Sequence, residues 1–558
     1  MASGTRGDCG VANMMLSPKQ SVGRDFEEKA LSPKTVMLKQ KKRTKPQLYE
    51  RRQHEVTNLL SPHVVESGSL SLRGWWMSHV KWEVIDLKRK SRPDVFSVPC
   101  QIHRIVETYQ YLSLNSSIPI KGIKFQVTSA SWKMERPKDG FLGSYKPFYG
   151  ARVFVVLSSG KRKLLRLDFQ PVSGRVASKK VEFIAPKRDR ISSVTVMLGC
   201  FGYKGYVTFT DLAVKPLYDS KPLKNHSTDP NKLIEPCPAP TKRPSEKKSD
   251  LLTETLYSAM SPNDSDAITL VTQLTFNRIS ILKRNLRLWN GPLSVAIYVL
   301  LEDDDDLKNK KREVRMRLPT HIFSKFSTVS VEIIYGNEVG PLYPINRLRN
   351  IAIKNVKTRH VFLIDVDFAP SPDLEFMARN QIFDYDKTRN STDKRVAFVV
   401  PAFDGARHVN SKDLPETKEE LVNTVKRKKR LAPFRKIESP LSHSSTNYSR
   451  WYHSNESYEV KNYQDKYEPY LILRLTPELP LYDERFKGYG MNKISHVMEL
   501  YNFVVLPNVW IVHRYHALSP LSFAHLTDPD SRFINRLQRF EFISDLYRKH
   551  RIGECKNR

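Results

Sequence analysis

The chain has no long hydrophobic run. Among its 558 residues the longest apolar stretch, Val295 to Leu301, has only strand length and includes Tyr298. Residues 1–60 hold nothing long enough for a signal peptide or membrane anchor, so the sequence as it stands predicts a soluble protein with no address. Cysteine is scarce: five residues, at 9, 100, 200, 237 and 555, with no CxxC pair. That spacing excludes a zinc site and a disulfide framework, and leaves open a single Cys100–Cys200 bridge inside one domain. Glycine is outnumbered by proline, 22 to 35, which points to proline-bearing connections between folded parts. Acidic residues are outnumbered as well. Asp and Glu total 59 against 92 Lys and Arg, a net charge of +33, and such a surface attracts polyanions. Nucleic acid is the obvious polyanion, but there is no zinc-finger spacing, no aromatic RNP-like strand and no basic base-reading helix. The basic residues are spread along the chain, with local runs at Lys41–Arg43 and Lys426–Arg430 that read as solvated faces. The same charge suits an enzyme whose donor carries a diphosphate. No nucleic-acid partner is expected.

The length is too great for one hydrophobic core, so two or three domains are expected. Residues 1–70 are polar, basic and patternless, and read as a disordered segment. From 75 to 217 short β-branched or alternating runs recur between turn residues, among them Ala151–Leu157, Leu164–Phe169 and Tyr206–Val214. Ser158-Ser159-Gly160-Lys161 reads as a hairpin turn between two of them. The spacing predicts an all-β sandwich. GARVFVVLSSGKRKLLRLDF and ISSVTVMLGCFGYKGYVTFTDLAV within it resemble the jelly-roll modules that accompany carbohydrate-active enzymes. On that resemblance Trp132, Tyr145 and Tyr203 are candidates to stack on sugar rings, with plain core packing as the competing reading. Residues 218–262 are rich in Pro, Lys and Ser and read as a linker. Six Asn-x-Ser/Thr sequons, at Asn115, Asn225, Asn263, Asn390, Asn447 and Asn455, favour a secretory route.

Past Ala267 strand and helix alternate. ITLVTQLTF is a buried strand, Arg278–Trp289 has helical spacing, SVAIYVLL and SVEIIYG are strands, IAIKNV closes a helix and HVFLIDVDF is a fourth strand. This is the pattern of an α/β domain with a largely parallel sheet, over 266–550. Val361 to Ile364 lead straight into Asp365-Val366-Asp367. Ligands collect at the carboxyl ends of strands in open α/β sheets. Aspartates at i and i+2 project to one side of an extended segment, where they can bind a hard divalent cation bridging two phosphates. The acidic run Glu302–Asp306 instead enters a lysine-rich stretch and reads as a solvated loop.

Around that pair LYPINRLRNIAI, FLIDVDFAPSPDL, VVPAF, YEPYLILR, YDERFKGYGMNKISHVMEL and FVVLPNVWIVHRYHALS follow in order. The series resembles the family 49 glycosyltransferases, the LARGE-type and β-1,4-glucuronyltransferase group. The resemblance implies an α/β GT-A-type (Rossmann-like) domain behind the jelly-roll-like sandwich. It also implies a UDP-sugar donor, Mn2+ as metal, and transfer with inversion to a glycan or glycoprotein acceptor. The family's best-known members transfer glucuronic acid to xylose on O-mannosyl glycans such as those of dystroglycan, in the Golgi lumen. Carried onto this sequence, the metal positions fall on Asp365, Asp367, His513 and His516, with His513 the preferred imidazole ligand. Donor candidates are Arg349, whose planar fork matches a carboxylate or phosphate, with Asn346 and Asn350 on the same helical turn, and Gln273 and Arg278 after the first strand. An inverting transfer needs a carboxylate to take the acceptor's proton, and Asp483, Glu484 and Glu468 are the candidates. Gly488 and Gly490 would allow close backbone approach on the acceptor side.

Two departures from the family stand out. LARGE-type proteins carry a xylose-transferring domain where this chain has the sandwich, which argues against a dual polymerase. The family's N-terminal anchor is missing too; the sequons favour an incomplete start over a different location. Glucuronic acid is the donor sugar the resemblance implies. Xylose or N-acetylglucosamine on the same machinery, or a catalytically silent glycan-binding protein, are the alternatives, and the intact aspartate pair argues against silence.

Overall fold

The computed structural model describes most of residues 95–551, with three short strands ahead of them; 1–63, 219–250, 406–413, 517–528 and 552–558 are the main segments outside it. Tyr145 and the sequons at Asn115, Asn225, Asn263 and Asn390 lie outside the described residues. Asn447 and Asn455 are exposed.

The first domain is two facing sheets. Six strands run in the order 64–65, 75–77, 106–113, 191–201, 148–157 and 162–168; five run 83–85, 95–100, 204–218, 120–135 and 176–184. Residues alternate inward along each strand, so Phe96, Val98, Phe125, Val127, Val153, Val155, Val196 and Phe209 meet in one apolar core. Cys100 on one sheet bonds Cys200 on the other, closing a loop of 100 residues. By chain entropy such a loop contributes about 4.7 kcal/mol. The Ser158–Lys161 turn forms as read, with Leu157 N–H donating to Lys161 O at 2.9 Å and Gly160 at φ +83°. Val64–Val65 pair with Trp75–Trp76, so ordered structure begins inside the segment read as disordered to residue 70. Tyr203 packs against the sandwich core, while Trp132 faces Tyr206 across two paired strands, with Tyr206 54% exposed.

The second domain is built on nine strands, in the order 252–257, 329–336, 293–300, 268–275, 360–363, 470–474, 396–400, 501–505 and 458–459. Two sequence expectations need correction. The linker reading extends too far, because Leu252–Tyr257 pairs antiparallel with Val329–Gly336 as an edge strand. The sheet is mixed rather than largely parallel. Four strands from 268 to 363 form a parallel run, but Tyr470–Arg474 enters antiparallel to His360–Leu363, and Val396–Val400 pairs antiparallel with it in turn. Apolar run length predicts strands but carries no direction, since a strand buried on both faces looks the same either way.

The parallel run decides where a ligand can bind. From Ile268–Thr275 the chain moves outward to the second and third strands, then returns to place His360–Leu363 on the other side of the first. The order reverses between those two strands, which makes their carboxyl ends the topological switch point. A small second sheet, 368–370, 511–513, 402–405 and 431–433 in order, stands over that end.

Candidate active site

Asp365-Val366-Asp367 leave the sheet at the switch point. Val366 is buried in the core and its carbonyl accepts from Asn285 Nδ2 at 2.7 Å, which pins the middle residue inward. The flanking aspartates therefore turn outward. They meet different company.

Asp367 faces imidazoles. His516 Nε2 lies 3.0 Å from its Oδ2 and His513 Nε2 3.9 Å away, with the two Nε2 atoms 3.3 Å apart. Asp367, His513 and His516 can direct one ligand atom each to a point within 4.8 Å of the others. Two imidazole nitrogens and a carboxylate are a donor set that suits a first-row transition ion. His513 is held by the Ile511–His513 strand, and its Nδ1 lies 3.0 Å from Asp404 Oδ1, a carboxylate–histidine pairing that would turn Nε2 toward a bound metal. Asp404 was not singled out from the sequence. Its signal was there, a carboxylate closing the VVPAFD segment at a strand's carboxyl end. Burial alone would raise the Asp367 carboxyl, but the His516 hydrogen bond and the charges of His513 and Arg278 keep it below its ordinary value. Arg278 Nη2 stands 3.5 Å from Asp367 and 3.3 Å from His516 Nε2, the one proposed donor residue that borders the cluster directly.

Asp365 stands outside that cluster. Its Oδ1 accepts from Arg349 Nη2 at 3.1 Å, and its Oδ2 accepts from Lys493 Nζ at 2.9 Å and the Tyr470 hydroxyl at 3.0 Å. Burial pushes its carboxyl up; Lys493 and Arg349 outweigh that and hold it far below the carboxylate range. Asp365 is thus engaged by two cations and a hydroxyl, apart from the group that Asp367 forms with the histidines.

The helix Ile345–Lys354 buries an apolar face on Leu348, Ala352 and Ile353, and beside it a polar stripe of Asn346, Arg349 and Asn350 at i, i+3 and i+4. The stripe does structural work. Asn346 Nδ2 donates to Asp483 O and Asn492 O, and its Oδ1 accepts from Arg349. Asn350 Nδ2 donates to Tyr482 O and Glu484 Oε1, and Tyr482 N–H returns to its Oδ1. Both amides are engaged with the 482–492 turn. Arg349 is likewise spent on Asp365, with the Tyr482 ring 4.9 Å from its guanidinium. Gln273 accepts from the buried Tyr343 hydroxyl at 2.5 Å.

The three candidate bases separate clearly. Asp483 is locked by Arg485, whose Nε lies 2.9 Å from Oδ2 and 3.0 Å from Oδ1, and Arg485 also reaches Asp545 at 2.7 Å. Glu484 is exposed and accepts from Asn350. Glu468 enters the site just before the Tyr470–Arg474 strand, and among the described residues no hydrogen bond engages its carboxylate. Burial raises its carboxyl above the ordinary range, against the opposing pull of Lys493 and Arg435. Gly488 and Gly490 sit at φ +61° and +91°, and the turn is clamped where Asn535 Nδ2 donates to Tyr489 O at 2.9 Å and Gly490 O at 3.0 Å.

Residues 323–551 match a family described as glycosyl-transferase for dystroglycan. Over 304 residues the chain is 34% identical to the xylosyl- and glucuronyltransferase LARGE2s of Danio rerio, covering 54% of this chain and 38% of that protein. It is 31% identical over 297 residues to the xylosyl- and glucuronyltransferase LARGE1 of Homo sapiens, covering 52% and 37%. It is 35% identical over 257 residues to the glycosyltransferase-like protein gnt14 of Dictyostelium discoideum, covering 45% and 38%. The chain thus spans about two-fifths of the length of these relatives. Among solved structures, S. aureus TarS in complex with UDP-GlcNAc aligns over 49% of this chain and 66% of its own, at 14% identity and a TM-score of 0.28. Over residues 323–551, the second half of the chain is thus similar to the family 49 glycosyltransferases.

Proposed function

We propose that this protein is a metal-dependent, inverting glycosyltransferase of GT-A type that moves glucuronic acid from UDP-glucuronate to a glycan acceptor ending in xylose or a similar sugar. The observation that carries the reading is the convergence of Asp367, His513 and His516 at the switch point of the sheet. These three residues would hold Mn2+, with Asp404 orienting His513. When bound, such an ion neutralises charge on a diphosphate. The remaining work falls to the chain itself. Arg278, beside Asp367, would bind an anionic oxygen of the donor. Asp365 fixes Lys493 and Arg349 and so keeps positive charge at the site. Glu468 takes the proton of the acceptor hydroxyl as that oxygen bonds the anomeric carbon and the bond to the diphosphate breaks. A carboxyl held above its usual range is suited to that task.

The sandwich, read as a jelly roll, is proposed to hold the acceptor glycan on its five-stranded sheet, where Trp132 and Tyr206 lie side by side. A Golgi location belongs to the same reading; among the described residues no helix is long and apolar enough to cross a membrane. The test is UDP release by the full chain with Mn2+ and xylosides, against UDP-glucuronate, UDP-xylose and UDP-N-acetylglucosamine. Asp367→Ala is expected to lower turnover by about 1000-fold or more. Glu468→Gln is expected to lose transfer while still binding UDP. Turnover with a different sugar would replace the donor and keep the mechanism. A wild-type protein that binds no UDP with metal present would overturn the reading.

A further inference from the structure

Arg435 follows the short strand Leu431–Pro433 at the rim of the site. Its backbone lies at φ +50°, a conformation that costs a residue other than glycine on the order of 1 kcal/mol. The fold holds it there. Arg435 N–H donates to Asp404 Oδ2 at 2.7 Å, while the other oxygen of the same carboxylate engages His513. The guanidinium sits 5.5 Å from the centroid of the Phe434 ring and 5.5 Å from that of Tyr489, and hydrogen-bonds the Tyr489 side chain. It is half-buried.

Four cations around the site each have a carboxylate. Arg349 and Lys493 share Asp365, Arg278 borders Asp367, and Arg485 holds Asp483 and Asp545. Arg435 does not: Glu468 acts on it electrostatically, but among the described residues no carboxylate comes within ion-pair distance. Burial works against the charged form of Arg435, but Tyr489 and Glu468 outweigh it, and the left-handed backbone fixes that charge beside two aromatic faces. A ligand with negative charge would supply the ion-pair partner. Planar carboxylate and phosphate groups are what the guanidinium fork matches.

We propose that Arg435 is a specificity-determining residue that receives an anionic group of the donor, carboxylate or phosphate. The inference rests on the transferase reading and adds to it. Because Asp404 grips both the Arg435 backbone and the His513 ring, the anion receptor and the proposed metal ligand keep a fixed spacing.

The experiment is calorimetric binding of UDP, UDP-xylose and UDP-glucuronate to the full chain with Mn2+, for wild type, Arg435→Ala and Arg435→Lys. Arg435→Ala is expected to weaken UDP-glucuronate by about tenfold or more, the scale of a lost charged hydrogen bond. Arg435→Lys, with charge but no fork, is expected to fall between. A loss confined to UDP-glucuronate identifies the sugar carboxylate as the anion; an equal loss for UDP identifies a phosphate. If Arg435→Ala binds all three as wild type does, the inference is wrong. Should Arg435→Ala melt early, Arg435→Gln, which keeps most of the stem, is measured in its place against the same criteria. A wild-type chain that fails to bind UDP would overturn the transferase reading itself, a result distinct from any of these.

Discussion

His496 lies face to face with Tyr482, ring centroids 4.1 Å apart, and its Nε2 is 2.9 Å from Pro480 O. Burial pushes its pKa down from 6.5 to about 4. The folded protein therefore keeps this ring neutral at pH values where the unfolded chain protonates it. Between those values the unfolded state binds more protons, so stability is full above about pH 6.5 and declines as the pH falls toward 4. At about 1.4 kcal/mol per unit, moving from pH 7 to pH 5 costs about 2 kcal/mol through this residue. Denaturant titrations at the two pH values should show that loss in wild type and a smaller one in His496→Gln. Single residues were unevenly legible beforehand. Asp367, His513 and His516 could be picked out because motif position marked them. Lys493, Asp404 and Arg435 could not, since their roles come from partners that lie 128, 109 and 31 positions away in the chain. The bonds of Asn346 and Asn350 to the 482–492 turn were not legible either: a polar residue on a helix turn beside a site looks the same in sequence whether it faces ligand or backbone.

The turn 482–492 and the helix Pro529–His550 depend on each other. Three residues of the turn, Gly488, Gly490 and Met491, adopt left-handed backbone angles, and two carbonyls between them are taken up by Asn535. Arg485 bridges Asp483 in the turn to Asp545 on the helix, and Phe486 meets Phe542 edge to face at 5.8 Å. Asn535→Ala removes both amide hydrogen bonds and loosens the Gly488–Gly490 turn read as the acceptor side. The expected result is a several-fold rise in acceptor KM with a smaller change in donor affinity, and about 1–2 kcal/mol of lost stability. Equal changes in donor and acceptor constants would assign Asn535 a purely structural role. Strands and helices were readable from periodicity to within a few residues, as with ITLVTQLTF, which is the strand Ile268–Thr275. The pairing of Leu252–Tyr257 was not readable, because an edge strand with a half-exposed pattern resembles a polar linker.

The two domains share a core. The outer face of the six-stranded sheet presents Tyr109, Tyr111, Phe154 and Met197, and the helix Pro529–His550 covers them with Phe533, Leu537, Phe540 and Ile543. Phe540 stacks on Tyr111 at 5.4 Å, and the same apolar cluster extends through Phe486 and Met491 into the turn of the site. Inside this interface Arg162 of the sandwich pairs with the buried Glu541 of the helix at 3.0 Å. Arg162→Ala would leave that carboxylate buried and unmatched, at a cost of about 3–5 kcal/mol. The melting temperature is expected to drop, and Glu541→Gln added to Arg162→Ala to recover most of it. No recovery would mean that the arginine stabilises through packing rather than charge.

The sequence by itself determined the periodicity of each element, the strand that delivers Asp365-Val366-Asp367, and the succession of motifs that marks the family. Those properties are local, set by side-chain alternation and by residues within one short segment. Tertiary structure decided the rest: which aspartate meets histidines and which meets cations, which carboxylate stays unengaged, the Cys100–Cys200 bridge between sheets, and the sandwich's place against the last helix. Each of these depends on groups brought together across long stretches of chain, where charge, burial and hydrogen-bond supply are set only once the fold has closed.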